Sequence, residues 1–127
     1  MSTPQAQFNP YNRACPSRRL INDVGDIWSV LLVGALSRRA MRFSELSEEV
    51  DGISCKMLTK TLRSLERNGI VERTQYNEMP VRVIYSLTEF GRTIVAPMES
   101  LENWVTDNMT EILQAQENFD ASLQTKS

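Results

Sequence analysis

The sequence predicts a mainly helical domain closed by one small β-hairpin, and three observations carry that expectation. A capped run over 53–69 sets apolar residues at helical spacing against cations on the other side. Directly after it, the hydrophobic period changes from 3.6 to 2 for two short stretches separated by a turn. A long acidic segment comes next, with apolar residues at heptad-like spacing.

The chain has 127 residues and a hydrophobic fraction of 41%, enough for one domain with an added helix. No run approaches the roughly 18 apolar residues of a membrane span, and no signal peptide is evident, so a soluble, cytoplasmic protein is expected. Cys15 and Cys55 are too few for a disulfide scaffold and make no metal pattern. Histidine is absent, which removes the commonest general base and zinc ligand. With no Gly-rich phosphate loop either, the chain is not expected to be an enzyme or to hold a cofactor. The net charge of −2 conceals an asymmetry. Residues 1–82 hold twelve Lys/Arg against nine Asp/Glu, whereas residues 83–127 hold two against seven. A polyanion responds to the local field, so an acidic total leaves a nucleic-acid-binding front half open.

Taken in order, residues 1–14 read as a flexible arm, polar and with two prolines. Pro16 suits the first position of a helix over 17–24, which Gly25 interrupts. Asp26 then caps a helix over 27–36, apolar nearly all round and placed in the core, with Trp28 as an anchor. Residues 37–40 make a turn and 41–43 a short extended piece. Ser44 caps a third helix over 45–50, with Leu46 and Val50 inward, and Asp51-Gly52 is a tight turn. Ser54 caps the next helix, Ile53 and Leu58 occupy the positions of a hydrophobic staple, and Gly69 stands where a left-handed cap is expected.

Along that helix Leu58, Thr61, Leu62 and Leu65 share one face. At about 100° per residue Lys56, Lys60, Arg63 and Arg67 fall in a narrow stripe opposite, with Thr59 at its edge. Two helices joined by a short glycine-containing turn, the second bearing the polar stripe, make a helix-turn-helix pattern suited to a DNA groove. A cationic outer helix face commonly meets only solvent, and the elements beside it in the chain decide between solvent and DNA. Strands over 70–76 and 81–87 around a turn at 77–80 form the wing of a winged helix-turn-helix, with Arg82 near its tip placed to touch phosphate or enter the minor groove. Thr88 caps a final helical region, its first part over 89–96, that Pro97 is expected to kink or break. On either side of it Ile94, Met98, Leu101, Val105 and Ile112, with Asn108 between and Trp104 beside, form a seam for a partner subunit. The tail is expected to fray from 118. The domain proper is thus 15–117.

Assembled, these residues resemble the HxlR family of bacterial winged-helix transcriptional regulators. The matching stretches are Cys15-Pro16, the Trp28 helix, Arg42-Phe43-Ser44-Glu45-Leu46, Ile53-Ser54-Cys55-Lys56-Met57-Leu58 and Leu62 through Val71. Pro80 to Val83 and Tyr85-Ser86-Leu87-Thr88-Glu89-Phe90-Gly91 complete the set, which covers roughly residues 15–104. The chain departs from the family at Gly25-Asp26-Ile27-Trp28, where a Gly-Gly-Lys-Trp-like run is usual, and in carrying Pro80 alone where two wing prolines are common. The resemblance implies a DNA-binding homodimer joined by its N- and C-terminal helices, and a twofold dimer is expected to read an inverted-repeat operator in double-stranded DNA. The resemblance also implies a family where several members sense oxidants or electrophiles through an N-terminal cysteine; a repressor-type regulator is the expectation, although the sequence does not give the sign of regulation.

The corresponding contacts are Ser54, Lys56, Met57, Thr59, Lys60, Arg63 and Arg82 for DNA, and Leu101, Trp104, Val105 and Ile112 for dimerisation. Cys15 is the candidate regulatory thiol: Pro16 sets it at a helix start beside Arg13, Arg18 and Arg19, an environment that favours thiolate. Cys55 is read as packed. A rival of another class is a winged-helix protein–protein interaction module whose stripe meets an acidic partner; such a module would not prefer one DNA sequence over another.

Overall fold

A computed structural model describes residues 8–125, so part of the expected flexible arm lies outside the described residues. The remainder of that arm is not featureless. Asn9 and Asn12 side chains accept hydrogen bonds from the amides of Tyr11 and Ala14, each 3.0 Å, and turn the chain into the first helix.

The described residues form five helices and two strands: α1 (Pro16–Val24), α2 (Ile27–Arg38), α3 (Phe43–Glu49), α4 (Cys55–Arg67), β1 (Val71–Tyr76), β2 (Arg82–Leu87) and α5 (Val95–Thr125), with a short 3-10 turn at Gly91–Ile94. The chain divides into two compact units at residues 95 and 96. The first holds α1 to β2 and the 3-10 turn; the second is the body of α5. Among the described residues no single helix is long and apolar enough to cross a membrane.

The core of the first unit is built from the inward faces of three helices. Leu32, Val33 and Leu36 of α2, Leu46 of α3, and Leu58, Leu62 and Leu65 of α4 are buried, joined by Ile70, Val71 and Leu87 from the base of the hairpin. Trp28 is only half-buried and Leu31 and Ile27 are exposed, so α2 is a core helix on one side rather than all round. The sheet is an antiparallel pair in which Val71 faces Leu87 and Tyr76 faces Arg82. Met41 adds an isolated bridge to Tyr85 through two backbone hydrogen bonds of 2.9 and 2.8 Å. The hairpin is therefore anchored at its base and free at its tip.

Local chemistry sets the boundaries. Asp26 accepts from the Trp28 amide at 3.2 Å, and Ser54 Oγ accepts from the Met57 amide at 3.0 Å. Helix α3 begins at Phe43, two residues before the expected start. The reason is Glu45, whose carboxylate reaches back to accept from the Arg42 amide at 2.9 Å and takes an ion pair from Arg39 at 2.8 Å. The Arg42 amide first, and then the Arg39 guanidinium, hold the Glu45 carboxyl below its ordinary pKa.

Gly69, at φ 75°, ends α4 in the left-handed conformation that a side chain would strain. Thr88 then ties the start of β1 to the chain leaving β2. Its hydroxyl donates to the Gly69 carbonyl at 2.6 Å and accepts from the Gly91 amide at 2.8 Å, while its own amide donates to the Ile70 carbonyl at 3.0 Å.

Two expectations about the last helix are corrected. Pro97 neither kinks nor breaks it, because it is the third residue of α5, where an amide has no partner within the helix. The helix expected over 89–96 is instead the 3-10 turn. The tail does not fray at 118 but continues helical to Thr125. No Pro or Gly interrupts it, and side-chain bonds bridge successive turns, Gln114 Nε2 to Asn118 Oδ1 at 3.1 Å and Ser122 Oγ to the Phe119 carbonyl at 2.7 Å.

Candidate nucleic-acid interface

Helix α4 presents two opposite surfaces. Leu58, Thr61, Leu62 and Leu65 are buried, while Lys56, Thr59, Lys60, Arg63 and Arg67 are exposed and Met57 is half-buried. Thr59 donates its hydroxyl to the Cys55 carbonyl at 2.9 Å, which leaves its oxygen as an acceptor towards solvent. Ser54 spends one lone pair on the cap and keeps its O–H to donate.

Charge pairing sorts the cations further. Arg38 pairs with Glu49, Arg39 with Glu45 and Arg82 with Glu78. Among the described residues Lys56, Lys60, Arg63, Arg67 and Arg73 take part in no ion pair. The stripe also divides between two flanks. Met57, Lys60 and Ser64 line a depression shared with Asp23 at the end of α1 and Asp26 in the turn before α2. Thr59, Arg63 and Arg67 line a groove on the hairpin side.

Arg82 is less open than a wing-tip arginine was expected to be. Its guanidinium carbon lies 4.3 Å from the Tyr76 ring centroid, and one terminal nitrogen is 3.4 Å from Glu78 Oε1. The side chain is 36% exposed and its Nε is buried with no hydrogen-bond partner. Arg73, one strand across from Tyr85, is the exposed hairpin cation beside α4. It was missed because a charged residue alternating along a strand looks like any solvent-facing position; the clue was its place just after the recognition-type helix.

Cys15 is the N-cap residue of α1, half-buried, with Sγ 3.1 Å from Ser17 Oγ. Arg13, Arg18 and Arg19 around it are exposed. A groove of about 680 Å³ separates Phe8, Pro16 and Leu20 from the end of α4 at Arg67 and Asn68, so the cysteine segment lies beside the cationic helix. Cys55 is exposed, not packed, because Ile53 and Leu58 on either side take the inward positions.

In the second unit Leu101, Trp104 and Val105 are exposed and Ile112 is half-buried. Asn108 donates to the Trp104 carbonyl at 2.7 Å. Because α5 runs on, the seam does too: the alternating four- and three-residue steps through 101, 105, 108 and 112 continue to Ala115 and Phe119, the latter 63% exposed. A tail fraying from 118 would leave Phe119 outside the seam; the continued helix brings it in. In the first unit α1 buries no residue, and Leu20, Ile21, Ile27 and Leu31 are exposed on α1 and α2.

A family profile described as HxlR-like helix-turn-helix matches residues 23–113. The HTH-type transcriptional regulator YtfH of Escherichia coli is 35% identical over 113 residues, covering 89% of this chain and 90% of the relative. The structure of the transcriptional regulator ytfH from Salmonella typhimurium superposes with a TM-score of 0.81 at 35% identity, over 86% of this chain and 97% of that one. The redox regulator HypR in its oxidized form is similar with a TM-score of 0.68 at 36% identity, over 74% and 97% respectively. With a helix-turn-helix, a hairpin wing and these relatives, the chain belongs to the HxlR-like helix-turn-helix family of DNA-binding transcriptional regulators.

Proposed function

We propose that the protein is a dimeric, sequence-specific repressor-type regulator whose hold on DNA depends on the chemical state of Cys15. The observation that carries the DNA reading is the outer face of α4, with exposed cations outside any ion pair among the described residues. Ser54, Lys56, Met57, Thr59, Lys60 and Arg63 meet the major groove, and Arg82 meets the flanking backbone with the donors that Tyr76 and Glu78 leave open. It is a binding protein rather than an enzyme. Acting on chromosomal DNA, it works in the cytoplasm.

Exposed apolar residues on the terminal helices support a twofold dimer, with Leu101, Trp104, Val105 and Ile112 of α5 forming the seam. Such a dimer reads an inverted repeat with half-sites about 34 Å, one helical turn, apart or a multiple of that. The position of Cys15 at the start of α1, beside the end of α4, supports a sensing role, as does similarity to a redox regulator. Oxidation of Cys15 by a peroxide to the sulfenic acid, with water leaving, or its addition to a quinone, the S–C bond forming as the C=C π bond opens and the thiol proton passing to the quinone oxygen, shifts α1 at the dimer interface. The spacing of the two α4 helices changes and DNA is released.

Sequencing the genomic fragments that the protein retains is the first test. An inverted repeat is expected; retention without sequence preference would favour an interaction module. The thiol claim is tested on the retained sequence with a quinone, using wild type, Cys15→Ser and Cys55→Ser, since Cys55 is also exposed. Release is expected for wild type and Cys55→Ser only. Continued binding while mass spectrometry shows Cys15 modified removes the sensing claim.

A further inference from the structure

The groove between α4 and the hairpin, about 640 Å³, has charged walls of Arg63 and Arg67 from the helix, Arg73 from β1, and Glu66. Three guanidiniums and one carboxylate leave it a net charge of +2. Among the described residues none of the three arginines is in an ion pair, although Arg38, Arg39 and Arg82 all are. The two walls are held rigidly. Arg63 and Arg67 stand on a helix whose back is buried, and Arg73 faces Tyr85, which is tied to Met41 at the anchored base of the hairpin. Like charges gathered on fixed elements repel one another, and Glu66 offsets only part of this; a polyanion offsets the rest. The guanidinium fork matches phosphate oxygens and remains charged at any physiological pH.

We propose that this groove is a clamp for one sugar-phosphate strand. Arg63, Arg67 and Arg73 hold phosphates, and base reading is left to the first turns of α4, at Ser54, Lys56, Thr59 and Lys60. The assignment rests on the DNA-binding reading above and deepens it. It divides the stripe by role, in keeping with the habit of recognition helices to meet base edges with their N-terminal residues. Glu66 opposes the clamp and limits its indiscriminate grip on DNA.

The test is the salt dependence of binding to a random-sequence duplex and to a duplex from the retained fragments. Wild type, Arg73→Ala, Arg73→Lys and Glu66→Gln are compared. A lost phosphate contact lowers the log–log slope by about 0.9, which at 0.1 M salt is about eightfold in affinity. Arg73→Ala is expected to show that loss on both duplexes alike. Arg73→Lys should keep the slope, because a phosphate accepts a point charge where a bidentate base contact does not. Glu66→Gln should tighten both. Arg73 is exposed, so equal melting temperatures are expected to confirm that the variants are folded. An Arg73→Ala slope equal to wild type removes the clamp while leaving DNA binding intact, as does a loss confined to the retained sequence. Wild type that binds neither duplex at low salt overturns the DNA-binding reading and the clamp together.

Discussion

Gly91 is the position at which one methyl group should do most damage. A Cβ there would lie 2.1 Å from the Ile70 carbonyl oxygen and 2.8 Å from its carbon, against 3.4 Å or more for ordinary contact. The obstacle is backbone, so no side chain can rotate away. Relief requires the chain at 88–91 to lift off Ile70. That strains the two bonds that tie the segment down, from the Thr88 amide to the Ile70 carbonyl and from the Thr88 hydroxyl to the Gly69 carbonyl. Overpacking of this kind costs about 1–3 kcal/mol, and hydrogen bonds contribute about 1 kcal/mol each. With two bonds weakened, Gly91→Ala should destabilise the protein by roughly 3–5 kcal/mol, a large share of the 5–15 kcal/mol typical of a domain. At about 4–8 °C per kcal/mol for a unit of this size, the melting temperature should fall by at least about 10 °C. The assay is thermal unfolding by circular dichroism at matched protein concentration. A Gly91→Ala protein melting within about 2 °C of wild type would show that the close approach of Gly91 to Ile70 is not a structural constraint.

Three further outcomes are expected. Glu45→Gln should lower the urea midpoint at neutral pH but not in acid. A carboxyl held below its ordinary pKa stabilises the fold above that ordinary value and loses the contribution as pH falls through the lowered one; a wild-type-to-variant gap independent of pH would contradict this. Glu78→Gln should leave Arg82 with Tyr76 alone and free its charge for DNA, steepening the salt dependence, whereas a flatter dependence would contradict that role. Phe119→Glu should produce monomers in sedimentation if the α5 seam continues past Ile112; an unchanged dimer would confine the seam to the residues before it.

Much of this fold was legible because its signals are local. Ser54 and Gly69 bracket α4 through contacts within a few residues, and the apolar and cationic faces follow from helical spacing alone. The change of period after Gly69 marks the hairpin for the same reason. What escaped depends on partners distant in sequence or on competition between them. Ser44 looked like a cap, but Glu45 bound to the Arg42 amide and Arg39 moved the start of α3 earlier. Pro97 looked like a breaker, but its effect depends on how far it lies from the helix start, which Thr88 and the 3-10 turn determine. Arg82 looked like a free wing cation, yet its strand register sets it opposite Tyr76, where the ring and Glu78 hold it. Arg73 acquires meaning only once the hairpin folds back beside α4.

The most direct test of the central claim is the binding of Lys60→Ala/Arg63→Ala protein to the retained genomic sequence, alongside wild type. Both side chains are exposed on α4 and neither is in an ion pair among the described residues, so the fold should melt as wild type does. Loss of a base contact costs about 1–3 kcal/mol and loss of a phosphate contact about eightfold at 0.1 M salt. Together they should weaken binding by roughly two orders of magnitude and bring the retained sequence close to random DNA. A double variant that binds the retained sequence as tightly and as selectively as wild type would mean that α4 is not the helix that reads DNA.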